Sequence, residues 1–144
     1  MKSWWSRFIK WQALSRADRW LLLRVTVCVI LVKLGLKVLP FRRFRIVYGR
    51  FLSGAAVQTY DALFVEQLVW SVRAVGNALP FEVLCLPQAL AVKYFLRGES
   101  EYELKIGVSN HDQLFSAHAW VVKADQTVIG EIPNISYVPL WAWN

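Results

Sequence analysis

The sequence predicts an α+β fold in which helices precede a small antiparallel sheet. Two periodicities support this prediction, because apolar residues recur at helical spacing before Gly98 and alternate with polar residues after it. The 144 residues are enough for one domain with its own core. We expect a basic, Trp-rich helical region over residues 1–52 and a core over residues 53–144, packed together as one compact unit.

Three helices are predicted before Gly98. The first begins near Arg16, because Ser15 is a typical N-cap with the acidic Asp18 three residues later, and it ends before Pro40. Lys and Arg residues interrupt its apolar run on opposite sides, so we do not expect it to cross a membrane. It belongs either to the core or to a membrane or partner surface.

The two later helices follow a basic stretch, Pro40 to Phe51, which we interpret as a connector. The second helix covers residues 61–77, and the third runs from about Leu86 to Arg97 with Gly98 as its C-terminal stop. This arrangement puts Cys85 at the N-terminus of the third helix. The apolar face predicted for the second helix consists of Leu63, Phe64, Leu68, Val72 and Val75.

Alternating segments at 102–108, 114–123 and 127–132 predict three strands of an antiparallel meander. Ala124 and Asp125 form the two-residue turn of the second hairpin, and His111 is assigned to a loop. The tail after Pro133 has no clear pattern.

The charge of the chain is divided between its two parts. Residues 1–50 contain twelve Lys or Arg and one acid, whereas residues 51–144 contain five bases and nine acids. A basic, Trp-rich region suits an anionic membrane surface, and no nucleic-acid-binding motif accompanies it. Cys28 and Cys85 lack disulfide or metal-ligand spacing, so we expect neither a disulfide nor a metal site, and no residue pattern indicates a cofactor. No secretory cleavage pattern follows the N-terminal apolar run, so we expect a reducing compartment. We therefore expect a cytoplasmic protein with peripheral contact at the inner face of the membrane.

Cys85 and His118 are the candidate nucleophile and base. The N–H groups of a helix N-terminus favour a thiolate, and an imidazole within reach could accept its proton. A two-residue hairpin loop pairs Val122 with Thr127, Trp120 with Ile129 and His118 with Glu131. Glu131 is then the carboxylate that orients the imidazole.

Other assignments of these residues remain open. Cys85 and His118 could be structural, since unpaired cysteine is often buried and a lone histidine on a strand is often a satisfied structural residue. Asp125 is a poorer orienting group because it lies in the turn, and a zinc site from His111, Asp112 and His118 lacks regular spacing.

Four short segments resemble one family of enzymes: CLPQALA at 85–91, IGV at 106–108, AHAWV at 117–121 and VIG at 128–130. They are similar to the leader peptidase of lasso-peptide biosynthesis, a transglutaminase-like and papain-like cysteine protease. The segments SRADRWLLL at 15–23 and LPFRRF at 39–44 resemble the start of that family, so the likeness covers nearly the whole chain.

The resemblance implies that the chain removes the leader from a ribosomally synthesised precursor peptide. An ATP-dependent cyclase then joins the new core N-terminus to a side-chain carboxylate. The resemblance assigns the nucleophile to Cys85 and the base to His118, and Glu131 stands where the family usually has Asp. The Cys85 backbone N–H, and Gln88 as a second donor, would stabilise the oxyanion by analogy. No leader-recognition domain precedes residue 15, so we expect a separate leader-recognition protein.

Two other functions remain as alternatives. The same Cys–His pair could transfer an acyl group to a nucleophile other than water. A non-catalytic adaptor at the membrane, with the basic region as its working part, would need neither residue.

Overall fold

A computed structural model describes residues 10, 12–111, 114–130 and 138–143 of the chain. Its architecture confirms the predicted α+β fold, with helices first and one antiparallel sheet after them. The helices are α1 (Arg16–Val38), α2 (Phe41–Ser53), α3 (Ala62–Ala78) and α4 (Cys85–Phe95). The strands are β1 (Tyr102–His111), β2 (Leu114–Lys123), β3 (Gln126–Ile129) and β4 (Val138–Trp143).

Helix α1 has the boundaries that its capping residues predict. Ser15 has extended backbone angles, and its hydroxyl accepts a hydrogen bond from the Asp18 backbone N–H at 3.1 Å. The helix ends at Val38, before Pro40, and packs against α3 and α4. Within the described part of the chain, no helix has the length and apolar content of a membrane-spanning segment.

The basic stretch after Pro40 forms helix α2, so its interpretation as a connector was wrong. Pro40 occupies the N-cap position with φ −55° and ψ 142°, where the N–H group that proline lacks would have no partner within the helix. Phe44 and Tyr48 are four residues apart and both are buried, with ring centroids 5.6 Å from each other. The Tyr48 hydroxyl donates to the Leu90 carbonyl at 2.6 Å. Two buried aromatic side chains and this bond hold α2 on the core while its arginines face solvent.

Helix α3 covers the predicted segment and buries Leu68, Val72 and Val75 as expected. Leu63 does not belong to that face, because its residue is 60% exposed. It lies five residues before Leu68, which at about 100° per residue turns it roughly 140° away from the buried stripe.

Helix α4 ends at Phe95, two residues before the predicted end at Arg97, and Gly98 has a different physical role from the one expected. Gly98 is not among the residues with positive φ. A Cβ at this position would lie 2.8 Å from the Ala56 carbonyl oxygen and 2.7 Å from Gln58 Cγ. Glycine is therefore required here because the segment before α3 passes directly over it.

The sheet has the strand order β3-β2-β1-β4, and all its pairs are antiparallel. Strands β1, β2 and β3 form the predicted meander, and the C-terminal strand β4 pairs with β1 on its other edge. His111 pairs with Leu114 as the last residue of β1, so its assignment to a loop was wrong. One face of the sheet enters the core through Leu104, Ala119 and Val121.

The β2–β3 hairpin has the predicted turn but not the predicted register. Ala124 and Asp125 have φ angles of 48° and 66°, as a tight two-residue turn requires, and Val122 pairs with Thr127. The register then shifts, so Ile129 pairs with Val121 instead of Trp120. The extra residue is Val128, which forms a β-bulge. Glu131, whose position opposite His118 depended on the unshifted register, lies outside the described residues.

Candidate functional site

Cys85 is the first residue of α4, as the sequence predicted, and is partly exposed. The N-cap residue is Leu84, which has an extended backbone and an apolar side chain that cannot cap the N–H groups of the first turn. Leu84 itself is 59% exposed, so the start of α4 lies at the protein surface. The sulfur is thus held at the positive end of a helix within reach of solvent.

The loop before α4 is anchored from both sides. Lys33 of α1 donates to the Glu82 carbonyl, and its ammonium group lies 4.4 Å from the centroid of the Phe81 ring. Gln88, the candidate second oxyanion donor, donates through Nε2 to the Val83 carbonyl at 2.9 Å. In this structure Gln88 therefore fixes the loop that leads into the helix.

His118 lies in β2 and is partly buried. Its Nε2 is 2.6 Å from the Gly130 carbonyl oxygen, and a carbonyl only accepts hydrogen bonds, so Nε2 carries the proton. In the neutral imidazole the lone pair is then on Nδ1, the nitrogen that can act as a base. The ring also stacks on Trp120, with 6.0 Å between centroids and planes 14° apart.

Two glycines flank the imidazole. Gly107 is its partner residue on β1, so that position has no side chain beside the ring. Gly130 has φ +90°, and a Cβ there would lie 2.7 Å from the Ala119 carbonyl oxygen and 2.9 Å from Trp120 Cβ. Only glycine fits at position 130, and its carbonyl is the group that sets the histidine tautomer. A backbone carbonyl is not identified by residue type, so the sequence did not indicate this role, although the VIG segment includes Gly130.

The elements that carry Cys85 and His118 are in contact, because α4 packs against β2. At one point of this contact, the buried Lys93 donates to the Tyr102 carbonyl at 2.6 Å, and Tyr102 pairs with Lys123 of β2. Cys85 is eight residues before Lys93 on α4, and His118 is five residues before Lys123 on β2.

His118 lies on the face of the sheet opposite to the core face on which α4 packs. Ala119 and Val121 are 1% and 0% exposed and belong to the core. Because side chains alternate along a strand, His118 lies with Trp120 on the other face of β2. The structure thus brings together the helix of Cys85 and the strand of His118, whereas the imidazole is turned away from the core face.

The other candidate residues were Asp125 and the ligands of a zinc site. Asp125 is exposed in the hairpin turn, and Asp112 lies outside the described residues. Among the described residues there is no group of three or more His, Cys, Asp or Glu side chains that could hold a metal ion.

We expect the two cysteines to differ in reactivity. Burial raises the pKa of the Cys28 thiol to about 12, so at neutral pH this thiol is almost entirely protonated. Cys85 is more exposed, at a helix N-terminus, so iodoacetamide should modify it at least about 100-fold faster than Cys28. Peptide mass spectrometry at successive times would measure both rates. Denaturant should remove the difference, and equal rates in the folded protein would contradict the prediction.

The chain matches the family model of the transglutaminase-like superfamily over residues 26–142. Comparisons with curated proteins and with solved structures returned no significant match. The matched range includes most of α1, all of α4 and the candidate residues at 85, 118 and 131. This chain therefore belongs to the transglutaminase-like superfamily, which includes cysteine proteases and acyltransferases.

Proposed function

We propose that this protein is a cysteine peptidase that removes the leader from a lasso-peptide precursor. It acts with a separate leader-recognition protein and an ATP-dependent, macrolactam-forming cyclase. One observation carries the proposal: in a chain of this superfamily, a partly exposed cysteine begins a helix that packs on the strand of a histidine. The resemblance of CLPQALA and AHAWV to the leader peptidases supplies the substrate class.

In the proposed reaction, Nδ1 of His118 takes the proton of the Cys85 thiol. The thiolate attacks the carbonyl carbon of the last leader residue, and the oxyanion forms beside the Cys85 backbone N–H. When the C–N bond breaks, the imidazolium gives its proton to the leaving amine, which becomes the core N-terminus. Water activated by the neutral imidazole then attacks the thioester, which releases the leader as a carboxylic acid and restores the thiol.

Two groups share the role of orienting the imidazole in the proposed mechanism. The Gly130 carbonyl accepts the Nε2 proton and orients the ring, which is the role that a carboxylate plays in a triad. Glu131 directly follows it and is the proposed acidic member. Because the Gly130 carbonyl already orients the ring, position 131 can be glutamate, although the leader peptidases that the sequence resembles usually have aspartate there.

The mechanism requires the imidazole of His118 to reach the Cys85 sulfur. The imidazole must approach Cys85 from the strand face shared with Trp120, which requires β2 to rotate locally at His118. The rotation must carry the Gly130 carbonyl with the ring, because Gly130 packs closely on Ala119 and Trp120 and its carbonyl accepts the Nε2 proton, whereas Gly107 has no side chain to oppose the rotation. Disulfide cross-linking between the two positions tests whether they approach each other.

Cleavage of a precursor peptide tests the function. We expect the full chain, incubated with a lasso precursor and its leader-recognition protein, to produce two peptides whose masses sum to the precursor plus one water. Omission of the recognition protein should slow the reaction. A product in which the leader carries an added amine instead would support acyl transfer and contradict peptidase activity. Absence of any product with the recognition protein present would overturn the proposal and favour the adaptor.

A further inference from the structure

Helix α1 is apolar on two opposite faces. One face is buried in the core and the other is exposed to solvent, with side chains recurring every three or four residues. Over the 18 steps from the first to the last of these residues, the helix rises about 27 Å. Its members are Trp20 (61% exposed), Leu23 (51%), Val27 (50%), Leu31 (61%), Leu34 (51%) and Val38 (74%). We call them the outer stripe.

Helix α2 extends this surface. Phe51 is 63% exposed and Val47 is 41% exposed, and both line a groove of about 460 Å³ between α1 and α2. Its lining also includes Phe44, Tyr48 and four members of the outer stripe. An exposed apolar surface that continues over two helices is uncommon on a soluble domain and marks a binding surface.

The charge of this surface points to an anionic partner. Residues 12–53 contain nine Lys or Arg and one acid, Asp18. On helical geometry, Arg24 borders the outer stripe on α1, and Arg43 and Arg50 lie beside Val47 on α2. Cations next to exposed apolar side chains, with a tryptophan at the end of the stripe, are the pattern of a helix lying in a bilayer interface.

The groove has few groups that could select one protein partner. Among its described lining residues, Arg24 alone is charged, and the Tyr48 hydroxyl already donates to the Leu90 carbonyl. A typical protein interface forms a hydrogen bond for about every 100–200 Å² that it buries. A bilayer needs no such directed bonds, because acyl chains offer apolar surface and headgroups offer diffuse negative charge.

We infer that α1 and α2 dock the protein on anionic membrane surfaces. The outer stripe and the exposed side chains of α2 enter the acyl boundary, and the flanking cations contact acidic headgroups. The docking requires neither Cys85 nor His118, so it is independent of the proposed peptidase activity.

Vesicle co-sedimentation of the full chain tests the inference. We expect binding to vesicles of phosphatidylcholine with about one-third phosphatidylglycerol, and at least about tenfold weaker binding to phosphatidylcholine alone. Leu31→Glu should weaken binding to the anionic vesicles at least about tenfold, because it adds a negative charge to the stripe and removes an apolar side chain. Val57→Glu is the matched control, since Val57 is 96% exposed but lies outside both helices, and it should bind like the wild type.

Three outcomes would overturn the inference. The first is equal binding to neutral and anionic vesicles, and the second is equal loss of binding in Leu31→Glu and Val57→Glu. The third is a self-association, measured by analytical ultracentrifugation, that Leu31→Glu abolishes while vesicle binding is absent. Cys85→Ala should bind vesicles like the wild type, so failure of docking and failure of catalysis are distinguishable.

Discussion

Replacing Cys85 with alanine is expected to lower the rate of leader cleavage at least about 1,000-fold. The side chain supplies the nucleophile of the proposed reaction, and no neighbouring group can replace a sulfur that forms the thioester. The substitution should leave the fold intact, because the residue is partly exposed at the start of α4 and the loop before it is fixed by Lys33 and Gln88. Cleavage rates from timed mass spectra, together with thermal unfolding curves, would measure both effects.

The second cysteine provides the matched control. Cys28 is buried on α1, remote in sequence from the candidate site, so Cys28→Ala should keep turnover close to that of the wild type. A Cys85→Ala variant that cleaves at the wild-type rate would show that the sulfur has no part in the reaction. Loss of turnover in Cys28→Ala with an unchanged melting temperature would also contradict the assignment.

Capping residues, turn residues and strand alternation predicted the features of the fold that depend on residues close together in the sequence. Ser15 accepts the bond that caps α1, and Ala124 and Asp125 adopt the angles that a two-residue hairpin needs. The alternation of β2 gave its boundaries at Leu114 and Lys123 without error. In each case the residues that carry the signal are within a few positions of the feature that they determine.

Features that depend on contacts between residues distant in sequence could not be predicted from local patterns. Phe44 and Tyr48 hold helix α2 on the core, and the Tyr48 hydroxyl donates to the Leu90 carbonyl of α4. Because the segment is rich in arginine, the helical spacing of these two aromatic residues gives no clear signal in the sequence. The bulge at Val128 cannot be read from a sequence that alternates equally well in either register. The pairing of β4 with β1 joins segments about 35 positions apart, and nothing local indicates it.

The candidate site shows the same division. Cys85 could be placed at a helix N-terminus from Pro87 and the apolar pattern that follows, and the structure has it there. The acceptor of the His118 proton is a backbone carbonyl, and a search by side-chain type cannot find such a group. Gly130 could be predicted only from its backbone, since φ +90° and the close approach to Trp120 exclude every other residue.

Removing the imidazole of His118 is expected to lower cleavage at least about 100-fold, because general acid–base catalysis typically contributes about 100- to 10,000-fold. His118→Gln is the appropriate variant, since an amide retains a donor that can reach the Gly130 carbonyl while it cannot take the thiol proton. Wild-type cleavage in His118→Gln would exclude the imidazole as the base. The melting temperature of the variant separates this chemical loss from any loss of stability.

Disulfide trapping decides which face of β2 approaches Cys85. In a Cys28→Ala background, His118→Cys should form a disulfide with Cys85 under mild oxidation when β2 rotates as the mechanism requires, because a disulfide forms only between residues whose Cα atoms come within about 7 Å. Ala119→Cys is the matched control on the core face, where exposure is 1%. If Ala119→Cys cross-links and His118→Cys does not, the core face is the one that meets the sulfur. The imidazole would then be unable to take the thiol proton, and the Cys–His mechanism would have to be abandoned even if Cys85 itself proved reactive.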